Sequence, residues 1–231
     1  MLSPALRHKQ KCLAIAAQKK GEQATLVGST PVMIDAPDSH DRATLLAALD
    51  QDLERLSAVA SVEAKAEMKK NELLPKYMPH VNGYLNSGAR YPNAVLVRCA
   101  IWSIDAGDME QGMALVEACI DQQQLLPDYF KRDIVTYFTE SIADWAEAQL
   151  TSGDSGSPYI DLVCEHLSEQ RWLTTNVIAR GKAFKVAGLT AEARGDDRSA
   201  LAYYHQAQDE NDRAGCKGRI KKLQEKLGLA Q

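Results

Sequence analysis

The chain has 231 residues, 45% hydrophobic and 25% charged, with a formal net charge of −4; this is the make-up of a folded protein of one large domain or two small ones, not of a disordered or fibrous chain. No apolar run reaches about 18 residues and the N-terminus has no signal-peptide h-region, so no membrane partner is expected and a cytoplasmic location is. The five cysteines (Cys12, Cys99, Cys119, Cys164, Cys216) are odd in number and form no CxxC pair, which argues against a disulfide framework and for free, mostly buried thiols.

Ser3-Pro4 opens the chain as an N-cap followed by proline at the first helical position. Arg7, His8, Lys9, Lys11, Lys19 and Lys20 follow around an Ala-rich turn, so a basic helix is expected over 1–20. Gly21, Gly28, Pro31 and Pro37 mark a linker up to about residue 38. Residues 39–74 form the longest helical stretch. Leu46, Leu49, Leu53, Leu56 and Ala60 recur at spacings of three and four, a narrow coiled-coil-like seam that suits self-association or packing on the chain's own domain. Pro75 and Pro79 each lack a backbone N–H and disfavour helix before them, so a break is expected there, closing a joint at Gly83. These boundaries divide the chain into 1–38, 39–83 and an α-helical domain over 84–231.

From Tyr84 onward the pattern is all helical. Helices are expected at 94–105, 109–123, from Pro127 to about 150, and at 159–169, 174–193, 197–212 and 214–227, with Thr151–Pro158 as a loop. Gly107-Asp108 and Gly195-Asp196 each open a similar segment, with Gly112 and Ala200 at one small position and Cys119 and Ala207 at another. The second copy, GDDRSALAYYHQA, is similar to a tetratricopeptide helix pair. The fold class expected is therefore all-α, with TPR-like helix hairpins.

Charge is segregated along the chain. The nets are +5 over 1–20, −6 over 21–64, +4 over 65–98, −12 over 99–170 and +5 over 171–231. A polyanion would have to meet the ends or the joint, where Lys69, Lys70 and Lys76 gather, since the acidic middle repels it. The same lysines also suit a merely solvated face.

Residues for chemistry are sparse. Pro37-Asp38 with Glu63-Ala64-Lys65 is a formal PD-x(n)-ExK nuclease match, but Glu63 and Lys65 fall on a helix about 200° apart, so no catalytic residue and no metal site is assigned. Cys164-x-His166 lacks the further ligands zinc requires and reads as a buried cysteine beside a surface histidine. His80 reads as a turn residue in preference to a DNA contact, and Asp105 and Asp108 as helix caps around Gly107. No GxxxxGK[ST] loop occurs, so no nucleotide cofactor is expected.

Four motifs in order carry a resemblance: SPA-x-RH at the N-terminus, KK-x-ELLP with P-x-VNG around the joint, W-x-x-D-x-GD at Trp102–Asp108, and GD-x-x-x-AL followed by AG-x-K (Ala214, Gly215, Lys217). Together they resemble the small terminase subunits of tailed phages, the gpM type often labelled terminase, endonuclease subunit. The resemblance implies a DNA-packaging protein in the host cytoplasm. It would form a homo-oligomeric ring, bind viral double-stranded DNA and regulate the large ATPase/nuclease subunit. Under it the basic residues named above are candidate DNA contacts, and Leu46, Leu49, Leu53 and Leu56 are candidate oligomerisation contacts. The label leaves a second reading open, a metal-dependent endonuclease in its own right. A helical-repeat adaptor that binds only protein is a third. The resemblance also implies that a Lys/Arg/Pro-rich tail can follow the last helix, whereas this sequence stops at Gln231.

Overall fold

The computed structural model describes residues 39–229, and no strand occurs among them. The all-α class is as expected. The elements are α1 (Ser39–Ala58), α2 (Val62–Met68), a π-helical turn (Lys69–Leu73), α3 (Leu74–Asn86), α4 (Ala94–Asp105) and α5 (Met109–Asp121). They continue with α6 (Ile134–Thr151), α7 (Tyr159–Ser168), α8 (Val177–Ala193), α9 (Asp197–Glu210) and α10 (Lys217–Lys226). The basic helix and linker expected over 1–38 lie outside the described residues. The chain divides into two compact units, one ending at Gln124 and the next beginning at Leu125; the sequence pattern suggests three segments with other boundaries.

The first unit corrects the single long helix expected over 39–74. α1 stops at Ala58, and the break falls at Val59–Ser61, not at the prolines. The reason is a cap: Ser61 is extended (φ −98°, ψ 151°) and its side chain accepts a hydrogen bond from the Ala64 N–H, starting α2 afresh. The helical run then passes straight through both prolines. Pro75 sits in the first turn of α3, where its missing N–H matters least, and Pro79 lies inside the helix. The π turn just before them is the compensation. A proline ring clashes with the carbonyl four residues back, which for Pro75 is that of Asn71, inside the widened turn; the Leu74 N–H reaches back five residues to the Lys69 carbonyl. His80, expected in a turn, is an exposed residue of α3.

α4 is the centre of this unit. Nine of its twelve residues are buried, from Val95 to Ile104 with Arg98 excepted, because α3, the π turn and α5 all pack on it. Trp102 is 2% exposed and its ring lies 5.9 Å from that of Tyr77. Each such side chain contributes about 1.5–3 kcal/mol by leaving water.

The second unit is built on α8, which packs against α6, α7 and α9. Its buried residues are mostly small (Ala179, Gly181, Ala183, Ala187, Gly188, Ala191), so the neighbouring backbones approach closely. α6 begins at Ile134, with Asp133 capping it through Thr136 N–H. Pro127, expected to open this helix, lies before it; the Phe130 N–H closes a separate turn on the Pro127 carbonyl.

Each unit holds one of the two Gly-Asp segments, and each segment is the turn of a helix hairpin, α4–α5 and α8–α9. The turns share their glycine conformation and their principal hydrogen bonds. Gly107 (φ 76°) and Gly195 (φ 80°) take the left-handed conformation. Asp108 N–H donates to the Ser103 carbonyl and Asp196 N–H to the Ala191 carbonyl, both at 2.9 Å. The Asp108 and Asp196 side chains then accept from Gln111 N–H and Ser199 N–H and cap the second helix.

Candidate nucleic-acid interface

The six basic residues singled out near the N-terminus, Arg7, His8, Lys9, Lys11, Lys19 and Lys20, lie outside the described residues. The three joint lysines are described, and the fold treats them differently. Lys69 has a side chain 15% exposed and its Nζ lies 2.6 Å from Asp105 Oδ2, so Asp105 neutralises a lysine; it does not act as the cap expected for it. Lys76 Nζ lies 2.7 Å from Asp52 Oδ2. Lys70, on the exposed side of the π turn, has no ion-pair partner among the described residues. Of the three, Lys70 alone presents its full charge to solvent.

Asp52 explains why Lys76 is held. It is a carboxylate 3% exposed, and a charge removed from water needs partners. Arg55, Lys76 and the Tyr77 hydroxyl all donate to it, at 2.8, 2.7 and 2.9 Å. Burial pushes the Asp52 carboxyl up, but those three donors outweigh burial and hold it below the usual carboxylate range. Burial and the same carboxylate push the Tyr77 hydroxyl up. Arg55 also reaches Glu72 in the π turn at 2.9 Å, and Arg42 donates to the Pro92 carbonyl. This polar lock fastens α1 onto the π turn and α3.

The leucine seam lies on and beside the same face. Leu49 and Leu56 are 2% and 8% exposed within one chain, one turn on either side of Asp52 and pointing the same way as it. Leu46 and Leu53, turned by less than a quarter of the helix circumference, are half-buried. Sequence reasoning misses Asp52 because a polar residue inside an apolar spacing reads as a solvated position.

The nuclease-like pattern is not assembled. Glu63 is exposed and Lys65 half-buried on α2, and Asp38 lies outside the described residues. Among the described residues no group of three or more His, Cys, Asp or Glu is placed to share a metal ion. Cys164 is buried as expected, but His166 is not a surface residue: it is 2% exposed, with its ring 5.1 Å from that of Trp172. Cys99, Cys119, Cys164 and Cys216 are free and buried; burial pushes the Cys99 thiol up to about 12 and raises the other three, so they stay protonated, as packing groups do.

Residues 46–175 match the family model of the phage small terminase subunit. The chain belongs to the phage small terminase subunit family. The match runs from the seam of α1 through the joint, the first hairpin, α6 and α7, and ends just before α8. Among curated proteins, the chain is 28% identical over 198 residues to the probable terminase, endonuclease subunit of Haemophilus phage HP1 (strain HP1c1), covering 81% of this chain and 70% of the relative. It is 29% identical over 227 residues to the terminase, endonuclease subunit of Escherichia phage P2, covering 98% of this chain and 86% of the relative. No solved structure matches. No helix among the described residues is long and apolar enough to cross a membrane.

Proposed function

We propose that this small terminase subunit is the DNA-recognition and assembly component of a packaging complex, working with a large subunit that carries the motor. Family membership over 46–175 carries the reading. The charge distribution supports it: the cations gather at 1–20, at the joint and after residue 170, and two acidic stretches lie between them. Phosphate contacts release counterions and need several cations from one assembly. A ring supplies them by repetition. In this reading residues 1–20 (Arg7, His8, Lys9, Lys11, Lys19, Lys20) and Lys70 lead the contact, the half-exposed Lys76 lies nearby, and Lys69 has most of its charge taken by Asp105. The same reading gives the ring contact to the flank of α1 that a single chain leaves half-covered, Leu46 and Leu53, with Leu49 and Leu56 beneath them. Such contacts position a duplex without reading it.

The test is duplex binding by the full chain across a salt series, paired with native mass spectrometry. The reading expects a homo-oligomer and an affinity that falls linearly in log salt, with the slope reduced by deleting residues 1–20. A monomer with no salt-dependent binding defeats it and favours a protein-binding helical adaptor. The names of both relatives favour one other reading, an endonuclease in its own right. Cleavage of duplex DNA by the purified chain with Mg²⁺ or Mn²⁺, lost on Asp38→Ala or Glu63→Ala, would establish it.

A further inference from the structure

From Leu125 to Asp212, five of the eight cations are matched to carboxylates. Arg132 pairs with Glu140, Arg180 with Glu210, Lys182 with Asp144, Arg194 with Asp161. The surface of α10 breaks this pattern. Residues 213–226, RAGCKGRIKKLQEK, hold six cations and one carboxylate. The helix turns Leu223 (2% exposed) and the half-buried Ile220 inward. On its inner flanks Arg219 reaches Glu192 at 2.7 Å and Lys226 reaches Asp197 at 2.6 Å. Lys217, Lys221 and Lys222 are exposed on the outward face, within an arc of about 140° at 100° per residue. None of the three has an ion-pair partner among the described residues. Lys222 is near enough to Glu192 to help lower that carboxyl, whose larger influences are burial in the other direction and hydrogen bonds from Tyr204 and Arg219. Two cations from other elements join them. Arg213 is exposed in the α9–α10 turn, next to the exposed Asp212, and Lys185 of α8 reaches the same turn, its Nζ 3.9 Å from where a Cβ on Gly215 would stand. Glu225 lies one turn further on, so the cationic surface is confined to the first two turns.

Gly218 is a separate observation at the same place. It is helical and exposed, its φ is ordinary, and an added Cβ would meet nothing within 4 Å. Neither packing nor backbone conformation asks for glycine there, and glycine weakens a helix relative to alanine. Its effect on the surface is a notch flanked by Lys221 and Lys222, three and four residues on, through which a partner can approach the helix backbone.

We infer that the outward face of α10, with Lys217, Lys221 and Lys222 around the Gly218 notch and Lys185 and Arg213 at its end, is a docking surface for the sugar-phosphate backbone of duplex DNA. Lys217 and Lys221 stand one turn apart along the axis, about 6 Å, a spacing that lets both meet phosphates of one strand. The notch admits a strand closely and without base readout. The choice of DNA among polyanions rests on the functional reading above; the existence of an unmatched cationic face does not. An acidic surface of another copy is the competing occupant.

The experiment measures binding of a fluorescent 30-base-pair duplex by the full chain over a salt series, with circular dichroism and native mass spectrometry on every variant. Lys217→Ala/Lys221→Ala/Lys222→Ala should keep its helicity and its assembly size. Its slope of log affinity against log salt should fall by about 0.9 for each phosphate no longer neutralised. Gly218→Glu separates docking from folding. An acidic residue in the first turn favours the helix, so its melting temperature should hold or rise while duplex affinity drops. Full affinity with an unchanged slope in the triple variant overturns the inference and leaves the functional reading standing, and so does full affinity in Gly218→Glu. Loss of assembly size in the triple variant with duplex affinity intact overturns it in favour of a second copy. A wild-type chain that holds no duplex at any salt overturns both.

Discussion

The two hairpins share a turn and differ in how they fill the space between their helices. Eighty-eight positions separate Gly107 from Gly195, and the same offset aligns Ala100 with Gly188, Val116 with Tyr204, Ile104 with Glu192 and Gly112 with Ala200. In α8–α9 the large Tyr204 ring lies over Gly188, where an added Cβ would stand 2.5 Å from it; in α4–α5 the smaller Val116 is matched with Ala100, and Tyr204, Val116 and Ala100 are all fully buried. One level along, the exchange runs the other way: an added Cβ on Gly112 would come within 2.6 Å of Ile104 Cδ1, whereas Ala200 is matched with the half-buried Glu192. Volume lost on one helix is recovered on its partner, which is how a close-packed interior tolerates divergence. Polarity diverges with volume. Tyr204 donates to Glu192 at 2.7 Å and Arg219 reaches the same carboxylate, so the second hairpin is tied to α10 by charge; the first has the buried apolar Ile104 and Val116 at these positions.

The largest test of this contrast is Tyr204→Ala. It opens a cavity over Gly188 and deprives Glu192 of a donor, at a cost of about 3–5 kcal/mol by comparison with aromatic truncations. Native-state hydrogen exchange should show the loss as reduced protection of α8 and α9 amides; protection unchanged in those helices would mean the ring is not a packing centre. A smaller effect is expected from Gly188→Ala, which overpacks the same contact by about 1–3 kcal/mol. The sharper form is the double change Gly188→Ala/Tyr204→Val, which writes the Ala100/Val116 pair into the second hairpin. It should be more stable than the sum of its single changes by about 0.5–3 kcal/mol. Additivity would break the idea of compensating volumes. Smaller again, Asp108→Ala and Asp196→Ala should each cost about 1 kcal/mol as lost N-caps, since each carboxylate accepts from the backbone N–H three residues on.

The smallest effect is pH-dependent and touches both units. Asp52 and Glu192 are each pushed up by burial, but hydrogen bonds from Lys76, Arg55 and Tyr77, and from Tyr204 and Arg219, hold both below the usual range. A depressed carboxylate stabilises the fold fully above its unfolded value near 4, and the contribution is lost as pH falls through the folded value. Acid should therefore loosen α1 and the α8–α10 contact without unfolding the rest. Asp52→Asn should remove that acid sensitivity from α1 amides in an exchange experiment; an unaltered acid limb would show that the lock does not hold α1.

Legibility in the sequence follows the range of the interactions. α4 appears over Ala94–Asp105 as the apolar spacing predicts, and the Gly-Asp turns are where glycine and a capping carboxylate place them. The departures come where distance overrides local rules. The Ser61 cap is hidden beside a leucine periodicity. The prolines read as breakers because a π turn that accommodates them leaves no mark in a pattern of single residues. His166 reads as a surface residue because nothing local announces Trp172 against its ring.

The sequence by itself determined the helical class, the family motifs and the two capped hairpins, because caps, left-handed glycines and helical periodicity act over a few residues. The tertiary structure decided which cations are available to a polyanion. Lys69 and Lys70 are chemically equal neighbours in the chain. Lys69 finds Asp105 thirty-six positions away, and Lys76 finds Asp52 twenty-four positions away, while Lys70, Lys217, Lys221 and Lys222 find no such partner among the described residues. Ion pairing depends on a few ångströms between groups far apart in the chain, and only folding sets that distance.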